Sequence, residues 1–227
     1  MFRNRYICQH QNSLMIKIEK FVFNPFQENT FVIYDETKEC LIIDPGCMDR
    51  HECSEMTVFI SAKGLKPVRL LYTHCHVDHV VGNNFVCENY ELKPELHKAG
   101  LPFLKESPRH GQIYGFDIPQ PVLPENFLEH GDIIQFGHSE LKVVYTPGHV
   151  DGHVCFINEK QHFVITGDVL FKDSIGRTDF PTGDFDKLMN SIHSQLFTLD
   201  DDYKVYCGHG QETSIGYEKV NNPFIKF

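Results

Sequence analysis

Thr73-His74-Cys75-His76-Val77-Asp78-His79 places three imidazoles and one carboxylate within six residues. Zinc and iron prefer such donors, and a loop leaving a strand can aim them at both sides of one cavity. A lone histidine is more often a partly exposed packing residue. A cluster this dense is different, because it would repel itself when protonated and would be costly to bury without a cation. Further donors recur in one local setting, a glycine-flanked turn after a strand-like run. They are His149 in Thr146-Pro147-Gly148-His149, Asp168 in Thr166-Gly167-Asp168, and His209 in Gly208-His209-Gly210. Glycine there lets the backbone bend sharply and approach a site closely. Alone, each turn is a weak signal; after HxHxDH, and in this order, they point to metal chemistry.

The elements that must position these residues follow from the apolar pattern. Met15 to Val22, Thr30 to Tyr34 and Cys40 to Ile43 are β-branched and aromatic runs separated by turn residues, predicting a strand and a hairpin. Cys53, Met56, Phe59 and Ile60 have helical spacing that ends at Gly64. Val68 to Tyr72 is a short buried-type strand that delivers the histidine cluster. A helix is expected over Asn83 to Tyr90 and a short strand over Glu95 to His97. Lys98 to Pro124, with five prolines, is expected to be largely irregular, interrupted at most by a helical turn, and to cover a site. Strands then follow at Ile133 to Phe136, Leu141 to Tyr145, Val154 to Ile157 and Phe163 to Thr166. An amphipathic helix capped by Asp184 carries Phe185, Leu188, Met189, Ile192 and Leu196, and a last strand runs from Lys204 to Cys207.

Composition narrows the function classes. The 227 residues suit one layered domain, expected over residues 15–227, after a polar tail at residues 1–14 that is either disordered or an upstream start. A formal charge of −10 repels phosphate backbones, so nucleic acid is not an expected partner. No apolar run is long enough to span a membrane. Eight scattered cysteines without a CxxC pair fit a reducing compartment, and the cytoplasm is the expected location. Cys75 and Cys207 flank the candidate ligands and are expected to pack as small apolar groups. The oligomeric state is unreadable.

With these residues in view, the chain from about Met15 to Phe224 resembles the metallo-β-lactamase superfamily in its glyoxalase II-like branch. Gly167-Asp168-Val169-Leu170-Phe171, Ser174-Ile175-Gly176-Arg177-Thr178-Asp179 and the stretch from Gly208-His209-Gly210 to Asn222-Pro223-Phe224 are similar to a small bacterial subgroup of it. The resemblance implies an α+β fold, an αββα four-layer sandwich of two mixed sheets with helices on the outer faces. It implies two divalent metal ions, zinc first, with iron or manganese as other occupants. His74, His76 and His149 would hold one, Asp78, His79 and His209 the other, and Asp168 would bridge them. Asp44 would order the site loops, and His153 would support the ligands by hydrogen bonding.

The implied activity is hydrolysis of a small-molecule acyl thioester by a hydroxide shared between the ions, with Asp78 orienting the water and Asp168 spacing the cations. A lactone or other ester is an alternative substrate. The carboxylate Asp168, where true β-lactamases often use a cysteine, disfavours antibiotics. Arg177 is a candidate for a substrate carboxylate, weighed against an ion pair with Asp179. Eighteen residues follow His209, leaving out the helical domain that grips glutathione in full-length glyoxalase II, so S-lactoylglutathione is one substrate among others. The rival reading is a mononuclear-iron persulfide dioxygenase of the same fold.

Overall fold

A computed structural model describes residues 15–225; the expected tail at 1–14 lies outside the described residues. The amino-terminal sheet begins with β1 (Lys17–Phe23), β2 (Glu28–Tyr34) and β3 (Glu39–Ile43), an antiparallel meander. Helix α1 (Arg50–Lys63) then crosses to β4 (Lys66–Leu71), parallel to β3. Asp49 caps α1 by accepting from the His51 and Glu52 N–H groups, and Gly64 ends it at φ 63°, the left-handed stop that its position predicts. The one-turn α2 (Val77–Val80) and α3 (Asn83–Tyr90) precede β5 (Pro94–His97) and, after α4 (Leu101–Ile113), β6 (Phe127–Leu128). The sheet order is β1-β2-β3-β4-β5-β6.

The second sheet is built from β7 (Ile133–Phe136), β8 (Ser139–Tyr145), β9 (Val154–Asn158), β10 (Phe163–Gly167), β13 (Lys204–Cys207) and β14 (Thr213–Ser214), in the order β14-β13-β10-β9-β8-β7. A small hairpin, β11 (Leu170–Phe171) and β12 (Ser174–Ile175), stands apart from it. Helices α5 (Phe185–Ser191) and α6 (Ile215–Asn221) complete the chain.

Four layers follow from the alternation of side chains along strands buried on both faces. Phe31, Ile33, Leu41 and Ile43 meet Leu141, Val143, Phe156 and Ile165 between the sheets. Their neighbours Val32, Cys40 and Ile42 point the other way, onto Met56 and Ile60 of α1 and Val86 of α3. On the far side Val144, Cys155, Ile157 and Val164 receive Leu188, Ile192 and Leu196. Two mixed sheets with helices outside are therefore the fold, as expected.

Two expectations need correction. Lys98 to Pro124 is not largely irregular, because α4 fills its first half. Pro102 falls in the first turn, where no N–H is required, and Leu104, Ser107 and Gly111 form one buried face that holds the helix despite Pro108 inside it. A Cβ at Gly111 would meet Ile118 at 2.9 Å, so the glycine is a packing device and not a breaker. The helix after Asp184 exists, but Ile192–Leu196 continues as a π-turn, which keeps Leu196 on the buried face. Phe185 does not join that face and is half exposed. In the second sheet β7 to β10 run antiparallel and β13 pairs parallel with β10, so this sheet is mixed, as the resemblance implies.

Candidate metal centre

Each donor leaves a strand end or joins two strands. From β4 the chain passes Thr73 to His74 and His76, then turns into α2 with Asp78 and His79. His149 lies between β8 and β9, Asp168 directly after β10, and His209 just past β13. Close backbone approach makes this convergence work. A Cβ at Gly167, where φ is 47°, would lie 2.4 Å from Thr73 Oγ1. At Gly148, with φ 133°, it would lie 2.2 Å from the Leu188 backbone nitrogen. Both turns need glycine.

Two trios of donors result. His74, His76 and His149 offer one set of ligand atoms, and Asp78, His79 and His209 another, each set mutually within 4.8 Å. His149 Nε2 is 2.9 Å from His76 Nδ1, and the His74 and His76 rings meet edge-on with centroids 4.8 Å apart. In the second trio His209 Nε2 stands 3.2 Å from Asp78 Oδ2 and 3.3 Å from His79 Nε2. Asp168 sits between the trios. Its Oδ1 is 3.5 Å from His79 Nε2, and its Oδ2 is 3.6 Å from His149 Nε2 and also from His209 Nε2.

The outer nitrogens of these rings are tied to acceptors, which turns their lone pairs inward. His149 Nδ1 donates to the Arg177 carbonyl at 2.7 Å, His209 Nδ1 to the Phe26 carbonyl at 3.0 Å, and His79 Nδ1 to Asp44 Oδ2 at 3.2 Å. Asp44 also accepts from Thr73 N at 2.7 Å and Thr73 Oγ1 at 2.5 Å, so it braces the start of the histidine loop. It adopts φ 49°, an uncommon conformation for a residue with a side chain, held by those bonds. His153 Nε2 accepts from Asp168 N at 3.1 Å and Nδ1 faces Thr146 Oγ1 at 3.2 Å, so neither ring nitrogen points at the trios.

The donor geometry fits cations. With both outer nitrogens protonated, the His79 and His209 Nε2 lone pairs face each other, and a proton or a cation must lie between them. His74 Nε2 and Asp168 Oδ1 are buried without any hydrogen-bond partner. Buried polar atoms left in this way are rare and usually have a missing ligand to explain them. Electrostatics separates the trios. Burial, reinforced by the surrounding imidazoles, drives His74 far below its ordinary range and His76 down to about 3, and burial lowers His149 as well. For His79 and His209 burial acts in the same sense, but Asp78 and Asp168 outweigh it and hold both above the ordinary value. Asp168 is held far below the usual carboxylate range: burial opposes ionisation, yet His79, His209 and His149 prevail.

Several supporting residues are invisible to motif reasoning. Phe26 contributes a carbonyl, Asn24 bonds the Asp78 carbonyl at 3.0 Å, and Asn29 bonds the Cys207 and Gly210 carbonyls at 2.9 and 3.1 Å. Together they clamp the β1–β2 hairpin onto both ligand loops. Glu28 is fully buried, with its carboxyl pushed well above the usual range by that burial, and its Oε1 lies 3.7 Å from His79 Nδ1. The Asn24 to Glu28 stretch, polar between two apolar strands, was the only signal available. Cys75 and Cys207 are buried, and burial pushes the Cys207 thiol up to about 12, as befits a packing group.

Asp78, His149, Asp168 and His209 floor an open cleft of about 800 Å³. Its rim carries Phe26, Phe103, Ile113, Tyr114, Phe171 and Phe180. Arg177 also lines it, but its guanidinium bonds Asp179 twice, at 2.9 and 2.7 Å, and covers the Phe180 ring at 4.3 Å. The fork considered for a substrate carboxylate is thus engaged within the chain.

A sandwich of two mixed sheets with histidines and aspartates gathered at strand ends defines a class, and the family comparison agrees. The model for the metallo-beta-lactamase superfamily matches residues 23–209, and the chain belongs to that superfamily. Within it, the chain is 36% identical over 212 residues to hydroxyacylglutathione hydrolase GloC of Haemophilus influenzae, covering 92% of this chain and 98% of that protein. Among solved structures, the BLEG-1 B3 metallo-beta-lactamase has a TM-score of 0.84 at 31% identity, covering 92% of this chain and 99% of its own. TTHA1623 in a di-iron-bound form has a TM-score of 0.82 at 34% identity, covering 91% of this chain and 100% of its own.

Proposed function

We propose that this protein is a binuclear metallohydrolase that cleaves small-molecule acyl thioesters, with residues 15–227 acting as one catalytic domain. The observation that carries the reading is the paired trios around Asp168, with His74 Nε2 and Asp168 Oδ1 buried without a hydrogen-bond partner. His74, His76 and His149 would hold one ion and Asp78, His79 and His209 the other, with Asp168 lying between the two sets. Zinc is the first candidate, and the di-iron form of TTHA1623 makes iron the next. Two such ions supply Lewis acidity and lower the pKa of water toward neutrality.

The chain's own residues perform the rest. Asp78 Oδ2, beside His209, orients the attacking water toward the scissile carbonyl. Asp44, the Phe26 carbonyl and the Arg177 carbonyl lock the rings, so the donors need no reorganisation during the reaction. The aromatic rim admits the substrate and limits bulk water. A thioester suits this arrangement because its thiolate leaves easily. The name of the Haemophilus influenzae relative supports the same chemistry. The seven free cysteines of the described residues suit a reducing compartment, and we place the protein in the cytoplasm.

The test combines metal analysis with an assay of acyl thioesters, a lactone and a β-lactam, before and after chelation. Two ions per chain, with thioester turnover lost on chelation and restored by metal, is the expected result. Thioesterase activity that survives full chelation overturns the reading, as does oxygen uptake with a persulfide on one iron per chain. Preference for the β-lactam would also overturn it.

A further inference from the structure

The cleft's rim is more apolar than a short hydroxyacyl group requires. Phe26 at the hairpin tip and Ile113 and Tyr114 at the end of α4 are 41%, 73% and 50% exposed, although they are large apolar groups. Scattered exposed apolar residues are ordinary, but these three meet at one opening. Phe26 packs edge-on against Tyr114 at 5.2 Å and against the buried Phe116 at 5.6 Å, which fixes the wall in place. Phe171 and Ile175 of the β11–β12 hairpin also line the opening.

The charges of the cleft are few. Arg177 is spent on Asp179 and Phe180. Lys172 makes no ion pair among the described residues, its ammonium touching only Gln211 Oε1 at 3.2 Å. The opening therefore offers an apolar wall and, at Gln211, a lysine that makes no ion pair among the described residues.

Resting on the thioester reading above, we propose that the favoured substrates carry an apolar alkyl or aryl acyl chain. This chain lies along Phe26, Ile113 and Tyr114, while Lys172 meets an anionic group on the thiol side. A 2-hydroxypropanoyl group would leave that wall wet. An acyl chain of about six carbons covers it, and each buried methylene favours the bound state by about threefold or more.

The test uses the metal-loaded enzyme and glutathione thioesters that differ only in the acyl group: lactoyl, acetyl, butanoyl, hexanoyl and phenylacetyl. The expected result is kcat/KM rising by about threefold per methylene up to hexanoyl, with lactoyl below butanoyl. In the double variant Ile113→Ser/Tyr114→Ser the hexanoyl-to-acetyl ratio should fall by at least about tenfold. Both positions are exposed, so folding is retained. A readout independent of turnover is calorimetric binding of the non-hydrolysable thioethers S-hexylglutathione and S-methylglutathione, in which the hexyl form should bind more tightly and lose that advantage in the double variant. Turnover of short or lactoyl thioesters equal to or faster than hexanoyl, with equal thioether affinities, overturns this proposal and leaves the thioester reading standing. Absence of turnover for every thioester, from protein that binds two metals, overturns both.

Discussion

The two trios flanking Asp168 lie at one end of the sandwich and share a carboxylate, yet they sit in opposite electrostatic states. His74, His76 and His149 are all imidazole and held neutral, whereas His79 and His209 are drawn toward the protonated form by Asp78 and Asp168. The difference lies in the partners and not in depth, since His74 and His79 are both buried. A cation entering the first trio meets three ready lone pairs. One entering the second must first displace protons. The first trio should therefore fill first, and the second should be the pH-sensitive one.

The largest effect should come from removing the residue the trios share. Asp168→Ala should reduce thioester kcat/KM by about three orders of magnitude, the scale expected when Lewis-acid stabilisation of several kcal/mol is lost. It should also lower metal content toward one or none per chain. A variant with full metal content and activity would break the comparison at its hinge.

Next are substitutions that strike one trio alone. His209→Ala should leave about one ion per chain, retained by the imidazole trio, whereas His74→Ala should lose that tighter ion, as elemental analysis after dialysis would reveal. Equal losses in both variants would show that the trios act as one unit. Asp44→Asn weakens the bond to His79 and the brace on Thr73 without removing a donor. A decrease of about 10- to 100-fold in affinity for the second ion is expected from a metal titration.

The mildest probe is pH. Because His76 titrates near 3 and His74 and His149 also lie below the ordinary value, protons do not compete for the first trio at neutral pH. His79 and His209 lie above it, so second-ion affinity should fall as pH falls through their raised values. Metal titrations of apo-protein between about pH 6 and 8 should show a flat first step and a sloping second. A first step as steep as the second would contradict the assignment.

The convergence of these side chains was legible because its signals are local: HxHxDH is one contiguous run, and each later histidine or aspartate is framed by glycine near a strand end. The sandwich was legible through two-sided burial, which writes β-branched runs such as Phe163 to Thr166. What stayed hidden acts through the backbone or through tertiary contact. The carbonyls of Phe26 and Arg177 orient His209 and His149, and a carbonyl carries no residue-type signature. Glu28 resembles any turn glutamate until the fold closes over it. Helix α4 was masked by Pro102, Pro108 and Gly111, each of which is a breaker by propensity and is reconciled here by position or packing. The two-residue strands β11 and β12 are too short for any periodicity.

One consequence follows from the bond between His209 and Phe26, which spans 183 positions of the chain. The last donor is aimed by the first hairpin, so the cluster is complete only when the two extremes of the described polypeptide have closed on each other. Under the proposed two-ion reading, metal stoichiometry is then a gauge of correct assembly. A population whose opening strands have peeled away would reveal itself as a substoichiometric second ion, even while circular dichroism still looked native.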